Sequence, residues 1–315
     1  MFTRALTLIA LCATTLPLLA ADDEGPTYLS PDEAGPDYVI QGEYLGEVDV
    51  DTSGGAWGAQ VIALGEGKFT LVGYEGGLPG EGWKRTDRKE TAEGKTEGGV
   101  TRFQAGEWEA EIKDGVLTVF MSGGIPAGKL KKVNRKSPTL DAKPPQGAIV
   151  LFDGSSVENF AGGVLTPDKL LTHECSSKQT QGDHTLHLEF RPPFKPLARG
   201  QARGNSGVYV QSRYEVQVLD SFGLEGENNE CGGIYSIAKP LVNMCYPPLT
   251  WQTYDIEFTG ARYENDKKVK NARITVVHNG VKVLDDVELP KATPGRLDEG
   301  PGPAHVIHHH IDALH

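Results

Sequence analysis

Glu215, Gln217 and Asp220 lie on one short run, residues 214–221 (YEVQVLDS), in which polar side chains alternate with Val216 and Val218. With a period of two, Glu215 and Gln217 share one face of a strand and the valines take the other. A carboxylate beside an amide can accept a proton and hold a hydroxyl, which is the equipment of general acid–base chemistry. The preceding run, residues 206–211 (SGVYVQ), alternates in the same way, with Val208 and Val210 opposed to Tyr209 and Gln211. Planar hydrogen-bonding groups beside an aromatic suit a sugar, whose hydroxyls need paired donors and acceptors. An ordinary solvated sheet face would show the same alternation.

These runs need a sheet to hold them, and the composition supplies one. The 315-residue chain has 39 Gly and 20 Pro and few amphipathic helical windows, which points to a β-rich protein of about two domains. Its net charge of −12 argues against nucleic-acid backbones and anionic membranes as partners and is silent on a neutral substrate.

Residues 1–21 read as a secretory signal: Arg4 precedes an apolar run that ends in Ala20-Ala21. The rival, a membrane anchor, needs ~20 apolar residues, and this run is shorter and contains Pro17. The expectation is a secreted or periplasmic protein without membrane insertion. Cys175, Cys231 and Cys245 would then lie in an oxidising compartment. A Cys231–Cys245 bridge is one option, and spacing does not fix the connectivity.

Residues 22–37 form a polar lead. Residues 38–135 read as a small antiparallel β domain, with strands at 38–48, 57–64, 68–74, 100–104, 108–113 and 116–121. Asp114-Gly115 marks a hairpin, and 85–98 reads as a charged, solvated loop. This domain has no catalytic or metal-ligand spacing and reads as an accessory module. A linker, 136–147, leads to a second domain at 148–299. Its strands fall at 149–152, 185–191, 206–211, 214–219, 251–259, 272–278 and 281–289, with 233–237 as a further short candidate. Asn279-Gly280 is the clearest type I′ hairpin signal. Seven or more strands with one polar and one apolar face each are what a two-sheet sandwich or jelly roll requires.

Eight motifs occur in order across this domain: LFDG (151–154), LHLEFR (186–191), RGNSGVY (203–209), YEVQVLDS (214–221), ECGGIY (230–235), AKP (238–240), WQTYDI (251–256) and HNG (278–280). Together they resemble the 3-keto-disaccharide hydrolase family. The resemblance implies an all-β protein: a concanavalin A-like jelly-roll sandwich preceded here by a smaller antiparallel β domain. It also implies a carbohydrate substrate, a glycoside oxidised to a ketone at carbon 3, cleaved outside the cytoplasm. The family's closing pattern, a His-Gly-Asn motif and a final strand, is missing from residues 300–315, which read as an atypical tail. His308, His309 and His310 are neighbours and cannot all turn to one ion in an extended chain.

A ketone at carbon 3 acidifies the hydrogen on carbon 2, so a base can start an elimination that expels the group on carbon 1, and water can then add. Glu215 is the candidate base. Asp220 is a second acid/base or a cation ligand, and Lys239 a stabiliser of the enolate. Arg203, Asn205 and Gln217 are candidate binders of hydroxyls or the carbonyl, and Tyr235 and Trp251 candidate platforms for the ring. Each has a structural alternative. Glu215 could pair with Arg213 or Arg191, Asp220 could cap a turn, Trp251 could be packing, and Gly204-Asn205 could be a turn. A divalent cation at Asp220 or Glu215 is left open, since no ligand spacing demands one. A non-catalytic carbohydrate-binding jelly roll is the competing function.

Overall fold

The computed structural model describes residues 25–49, 54–172 and 174–310, so the secretory signal read in 1–21 lies outside the described residues. The protein is all-β, a jelly-roll sandwich preceded by a smaller antiparallel β domain.

Eight strands close the first unit into an antiparallel barrel. They are β1 (Gly42–Val48), β2 (Gly55–Gly65), β3 (Lys68–Glu75), β4 (Lys89–Glu97), β5 (Val100–Ala105), β6 (Trp108–Lys113), β7 (Val116–Met121) and β8 (Ile125–Val133), arranged in the order β1-β8-β7-β6-β5-β4-β3-β2. Asp114 and Gly115 both take positive φ, 50° and 74°, as a two-residue primed turn requires. Two expectations fail here. Residues 38–40, read as the start of a strand, belong instead to a short helix (Gly35–Ile40). The charged stretch read as a loop is β4, which pairs with β3 and β5. Its alternation places Ala92 in the barrel core while Glu93 and Lys95 face out, and charge on one side of a half-exposed strand hid the period.

Two facing sheets make the second unit. One holds β9 (Cys175–Gln181), β11 (Ser206–Val210), β12 (Tyr214–Val218) and β16 (Ala304–His310), with Phe160–Ala161 at its edge. The other holds β10 (His184–Phe190), β13 (Gln252–Thr259), β14 (Ala272–His278) and β15 (Val281–Leu289). Val208, Val210, Val216 and Val218 meet Tyr254, Ile256, Phe258, Ile274 and Val276 between the sheets. The expected strands at 149–152 and 233–237 do not form as such, the latter contributing only isolated bridges at Ile234.

The largest correction concerns the tail. Residues 304–310 are the middle strand of their sheet, paired with β9 on one side and β11 on the other. Ladder hydrogen bonds use backbone N–H and C=O groups, which an altered side-chain sequence keeps. Ala304 and Val306 still alternate inward.

Barrel and sandwich share packing. Ile62, Val72 and Tyr74 of the barrel belong to the same apolar cluster as the sandwich core. Arg85 donates to the carbonyls of Leu241 (2.7 Å), Pro240 (2.9 Å) and Gly226 (3.1 Å). Arg135 grips Glu43 through Nε (2.7 Å) and Nη2 (2.5 Å), and stacks 5.0 Å from the Tyr246 ring. The stretch read as a linker is pinned to β13, with Ser137 Oγ 2.6 Å from Thr253 Oγ1 and Thr139 donating to Asp255 (2.9 Å). Cys175, Cys231 and Cys245 are buried, Cys231 and Cys245 are not bridged to each other, and Cys231 Sγ lies 3.1 Å from the Tyr254 hydroxyl.

His278 is buried in this core, its Nε2 donating to Gln252 Oε1 (2.9 Å). Burial pushes the imidazole down to about 3 from an ordinary value of 6.5. The unfolded chain therefore binds a proton that the native state refuses, and stability present above pH 6.5 is lost as the pH falls towards 3. This group is expected to lower the folding constant by up to about tenfold per pH unit in that window. Urea unfolding at stepped pH measures the slope, and His278→Gln is expected to flatten it.

Candidate active site

The hairpin of β11 and β12 sets Tyr209 opposite Glu215 and Gly207 opposite Gln217. Its valines enter the core, so Tyr209, Glu215 and Gln217 share the other face, as their alternation predicts. The expectation of a solvent-open face fails, because Glu215 is 6% exposed, Tyr209 5% and Gln217 2%. Two coil segments cover it. Residues 232–235 run along the outer edge of β12: Gly232 N donates to Gln217 O (3.0 Å) and Tyr235 N to Glu215 O (3.2 Å). The strap between β15 and β16, residues 290–303, folds over the hairpin. Thr293 donates from N (2.8 Å) and Oγ1 (3.0 Å) to Arg213 O, and accepts at Oγ1 from Glu215 N (3.1 Å).

The Glu215 carboxylate is held from two sides. The Tyr209 hydroxyl donates to Oε2 at 2.8 Å. Oε1 lies against Gly207, where a Cβ would come within 2.2 Å of it. Gly207 thus makes room for the carboxylate, a close approach of the kind an isolated strand glycine signals. Burial pushes the Glu215 carboxyl above its ordinary range, while the Tyr209 hydrogen bond and the Arg296 charge pull the other way. The same burial, with the hydrogen bond to Glu215, pushes the Tyr209 phenol well up, so the phenol stays a donor. Arg296, on the strap, lies 5.3 Å over the Tyr209 ring and pairs with Glu174 at 2.8 Å.

Gln217 Nε2 donates to Asn205 Oδ1 (2.8 Å) and Gln201 Oε1 (2.9 Å). Its Oε1 is buried and finds no hydrogen-bond partner among the described residues. A buried amide oxygen without a donor is costly, and a donor from a ligand hydroxyl would satisfy it. The face therefore offers a raised carboxyl, a phenol donor, a guanidinium and an unfilled amide acceptor.

The structure brings Glu215, Gln217, Asn205 and Tyr235 together and separates the other candidates from them. Asp220 is corrected: it is 2% exposed and its Oδ2 accepts from Arg203 Nε (3.0 Å) and Nη2 (2.7 Å). Burial pushes the Asp220 carboxyl up and the guanidinium opposes it. Its Oδ1 also accepts from Phe222 N (3.4 Å), so the turn-making alternative holds as well. Arg203 is corrected with it, since that pair spends its guanidinium and Arg203 Nη1 reaches across to Ala63 O in the barrel (3.3 Å). Lys239 is exposed and pairs with Glu227 at 3.6 Å. Trp251 precedes β13 in the other sheet and packs on Arg191, 5.4 Å away. Gly204 takes φ 68°, so the turn reading of Gly204-Asn205 stands beside Asn205's bond to Gln217. Neither carboxylate suits a divalent ion, because Asp220 faces a guanidinium and Glu215 a phenol. No group of three or more His, Cys, Asp or Glu is placed for a metal among the described residues.

Gly207, Tyr209, Gln201, Thr293 and Arg296 complete the site and were not among the candidates. Gly207 and Tyr209 carried a signal, sitting on the alternating strand itself. Thr293 and Arg296 lie about eighty residues on, in coil, where no local period marks them.

If the Asp220–Arg203 pair is structural, Asp220→Asn leaves a buried guanidinium uncompensated. We expect unfolding in urea to lose about 3 kcal/mol, the scale for breaking a buried pair. Lost turnover at unchanged stability would return Asp220 to the chemistry.

Residues 147–310 match the family model described as a 3-keto-alpha-glucoside-1,2-lyase-like domain. Among solved structures, the chain is similar to two from Parabacteroides distasonis ATCC 8503, each described as a "putative glycosyl hydrolase". The first is 28% identical over 52% of this chain and 76% of that one, with a TM-score of 0.48. The second is 13% identical over 53% and 88%, with a TM-score of 0.33. No curated protein matches. The match runs through the Glu215 hairpin and the strap to the end of β16, and the chain belongs to the 3-keto-alpha-glucoside-1,2-lyase-like family.

Proposed function

We propose that this chain cleaves 3-keto-glycosides by elimination across carbons 1 and 2, with Glu215 as the base, and that hydration of the product completes a hydrolysis. The observation that carries the reading is a carboxyl raised by burial and held on one oxygen by the Tyr209 hydroxyl. A base works best with a pKa near the operating pH, and burial moves a carboxyl in that direction. Glu215 takes the proton from carbon 2, and the electron pair passes into the ring as an enolate. The enolate returns that pair to expel the oxygen on carbon 1, which leaves with the proton that Glu215 had taken. Water adding to carbon 1, with a proton to carbon 2, gives the free 3-keto sugar.

Gln217 fits a substrate hydroxyl, since its Oε1 lacks a donor and its amide is fixed by Asn205 and Gln201. Tyr235 lies half-buried, its backbone N bonded to Glu215 O (3.2 Å). A sugar reaches Glu215 when the strap lifts. Gly295, at φ 94°, gives the strap a conformation that other residues resist. The export read in residues 1–21 would place the reaction outside the cytoplasm.

The test is turnover of a 3-keto-disaccharide beside its unoxidised parent, with and without a chelator. Release from the keto form alone supports the reading. Glu215→Gln is expected to abolish turnover and leave sugar binding within about threefold. Equal binding by both proteins with no turnover by either would make this a binding module instead. The same variant is expected to be the more stable protein at neutral pH. The raised carboxyl favours the protonated native state, so its stabilising effect is lost as the pH rises through the folded pKa, and the difference should vanish below about pH 4. Gly207→Ala is expected to keep the fold, because only a flexible carboxylate must move, and to cost at least about tenfold in turnover by displacing it.

A further inference from the structure

We infer that Arg296 is a catalytic residue of this site, binding the oxygen on carbon 3 and holding its negative charge as the enolate forms. The inference rests on the elimination proposed above. In that step the bond between carbon 2 and its hydrogen breaks, and the proton goes to Glu215. The electron pair forms the double bond between carbons 2 and 3, and the carbonyl pair comes to rest on oxygen. One anion is neutralised and another appears a few ångströms away, so the site needs a fixed positive group beside the base.

The positive groups around the hairpin are few. Arg203 is committed to Asp220. Arg213 donates to the backbone oxygens of Asp298 (3.1 Å) and Gln211 (3.4 Å). Lys239 is exposed, so water screens its charge. Arg191 stacks on Trp251, outside the β11–β12 face. Arg296 lies 5.3 Å over the ring of the tyrosine that donates to Glu215, and its charge reaches the Glu215 carboxyl. Its guanidinium is part-buried, and its partner Glu174 is half exposed, an ion pair of the kind that is worth little.

Its placement depends on the base's own strand. Thr293, three residues before Arg296, accepts from Glu215 N and donates to Arg213 O. Leu297, one residue after it, donates from N to Ser212 O at 3.0 Å. Base and cation are thus fixed by one set of hydrogen bonds along one hairpin, which is how a preorganised charge avoids reorganisation during reaction. The charge of Arg296 also acts on Glu215 and Tyr209, pulling both pKa values down.

The experiment follows carbon 2 deuterium uptake and glycosidic cleavage together, on a 3-keto-disaccharide in D2O, with the full chain and with Arg296→Met and Arg296→Lys. Both rates are expected to fall about a hundredfold in Arg296→Met, with KM changed far less, and to recover in part in Arg296→Lys. The acid limb of the pH profile should move to higher pH in Arg296→Met, because Glu215 loses the charge that holds it down. A residue that only anchors the strap would raise KM and leave the limb in place. Wild-type rates and limb in Arg296→Met, or cleavage slowed with deuterium uptake untouched, would overturn the role. If the unaltered protein neither exchanges nor cleaves, the elimination itself fails and this inference with it. Should Arg296→Met not fold, Arg296→Gln removes the charge with less loss of packing and is read by the same outcomes.

Discussion

A carboxylate buried on a sheet face is the constraint around which the second unit is arranged. Removing it from water costs several kcal/mol unless donors replace the lost hydration. Tyr209 supplies the donor, Gly207 supplies the room, and Thr293 ties the backbone of Glu215 to the strap above. None of these is needed for a stable sandwich, since the valines on the opposite face already bury the hairpin. A raised carboxyl is therefore kept at some expense in stability, in the manner of sites where burial tunes a pKa for chemistry.

The barrel supports this arrangement. It lends Ile62, Val72 and Tyr74 to the sandwich core and accepts Arg203 through Ala63 O. The Arg203–Asp220 pair closes the run that begins at Glu215, so the end of the catalytic strand is fixed against the first unit. A motif of acid and base groups, spaced as if for catalysis, here divides its labour: Glu215 faces the site, and Asp220 locks the strand to its neighbour.

What could be seen in the chain depended on whether a signal was local. The two-residue period of 206–211 and 214–219 fixed which side chains share a face, and Asp114-Gly115 and Asn279-Gly280 fixed two turns with positive φ at all four residues. The order of motifs identified the domain. Burial of the polar face was not legible, because the residues that cover it come from 232–235 and 290–303, segments without a period. Arg296 stood far in sequence from any motif, yet its charge acts on Glu215. Strand β4 was concealed by charge on its outer face, and β16 by the expectation of a closing motif that residues 300–315 do not spell, although pairing needs only the backbone.

The middle of the five-stranded sheet is filled by β16, the last strand among the described residues, between β9 and β11. Its partners lie roughly 100 and 130 residues earlier, so the loop-closure entropy of this pairing is large and comes due late. Until it docks, β9 and β11 each present an unpaired edge, a template for association with other chains. A chain synthesised from its first residue onward would hold that gap open while the barrel and the Glu215 hairpin are already made. For this protein, slow and aggregation-exposed folding is the kinetic consequence of placing the final strand at the centre, and quality control during biogenesis would act on that one vacancy.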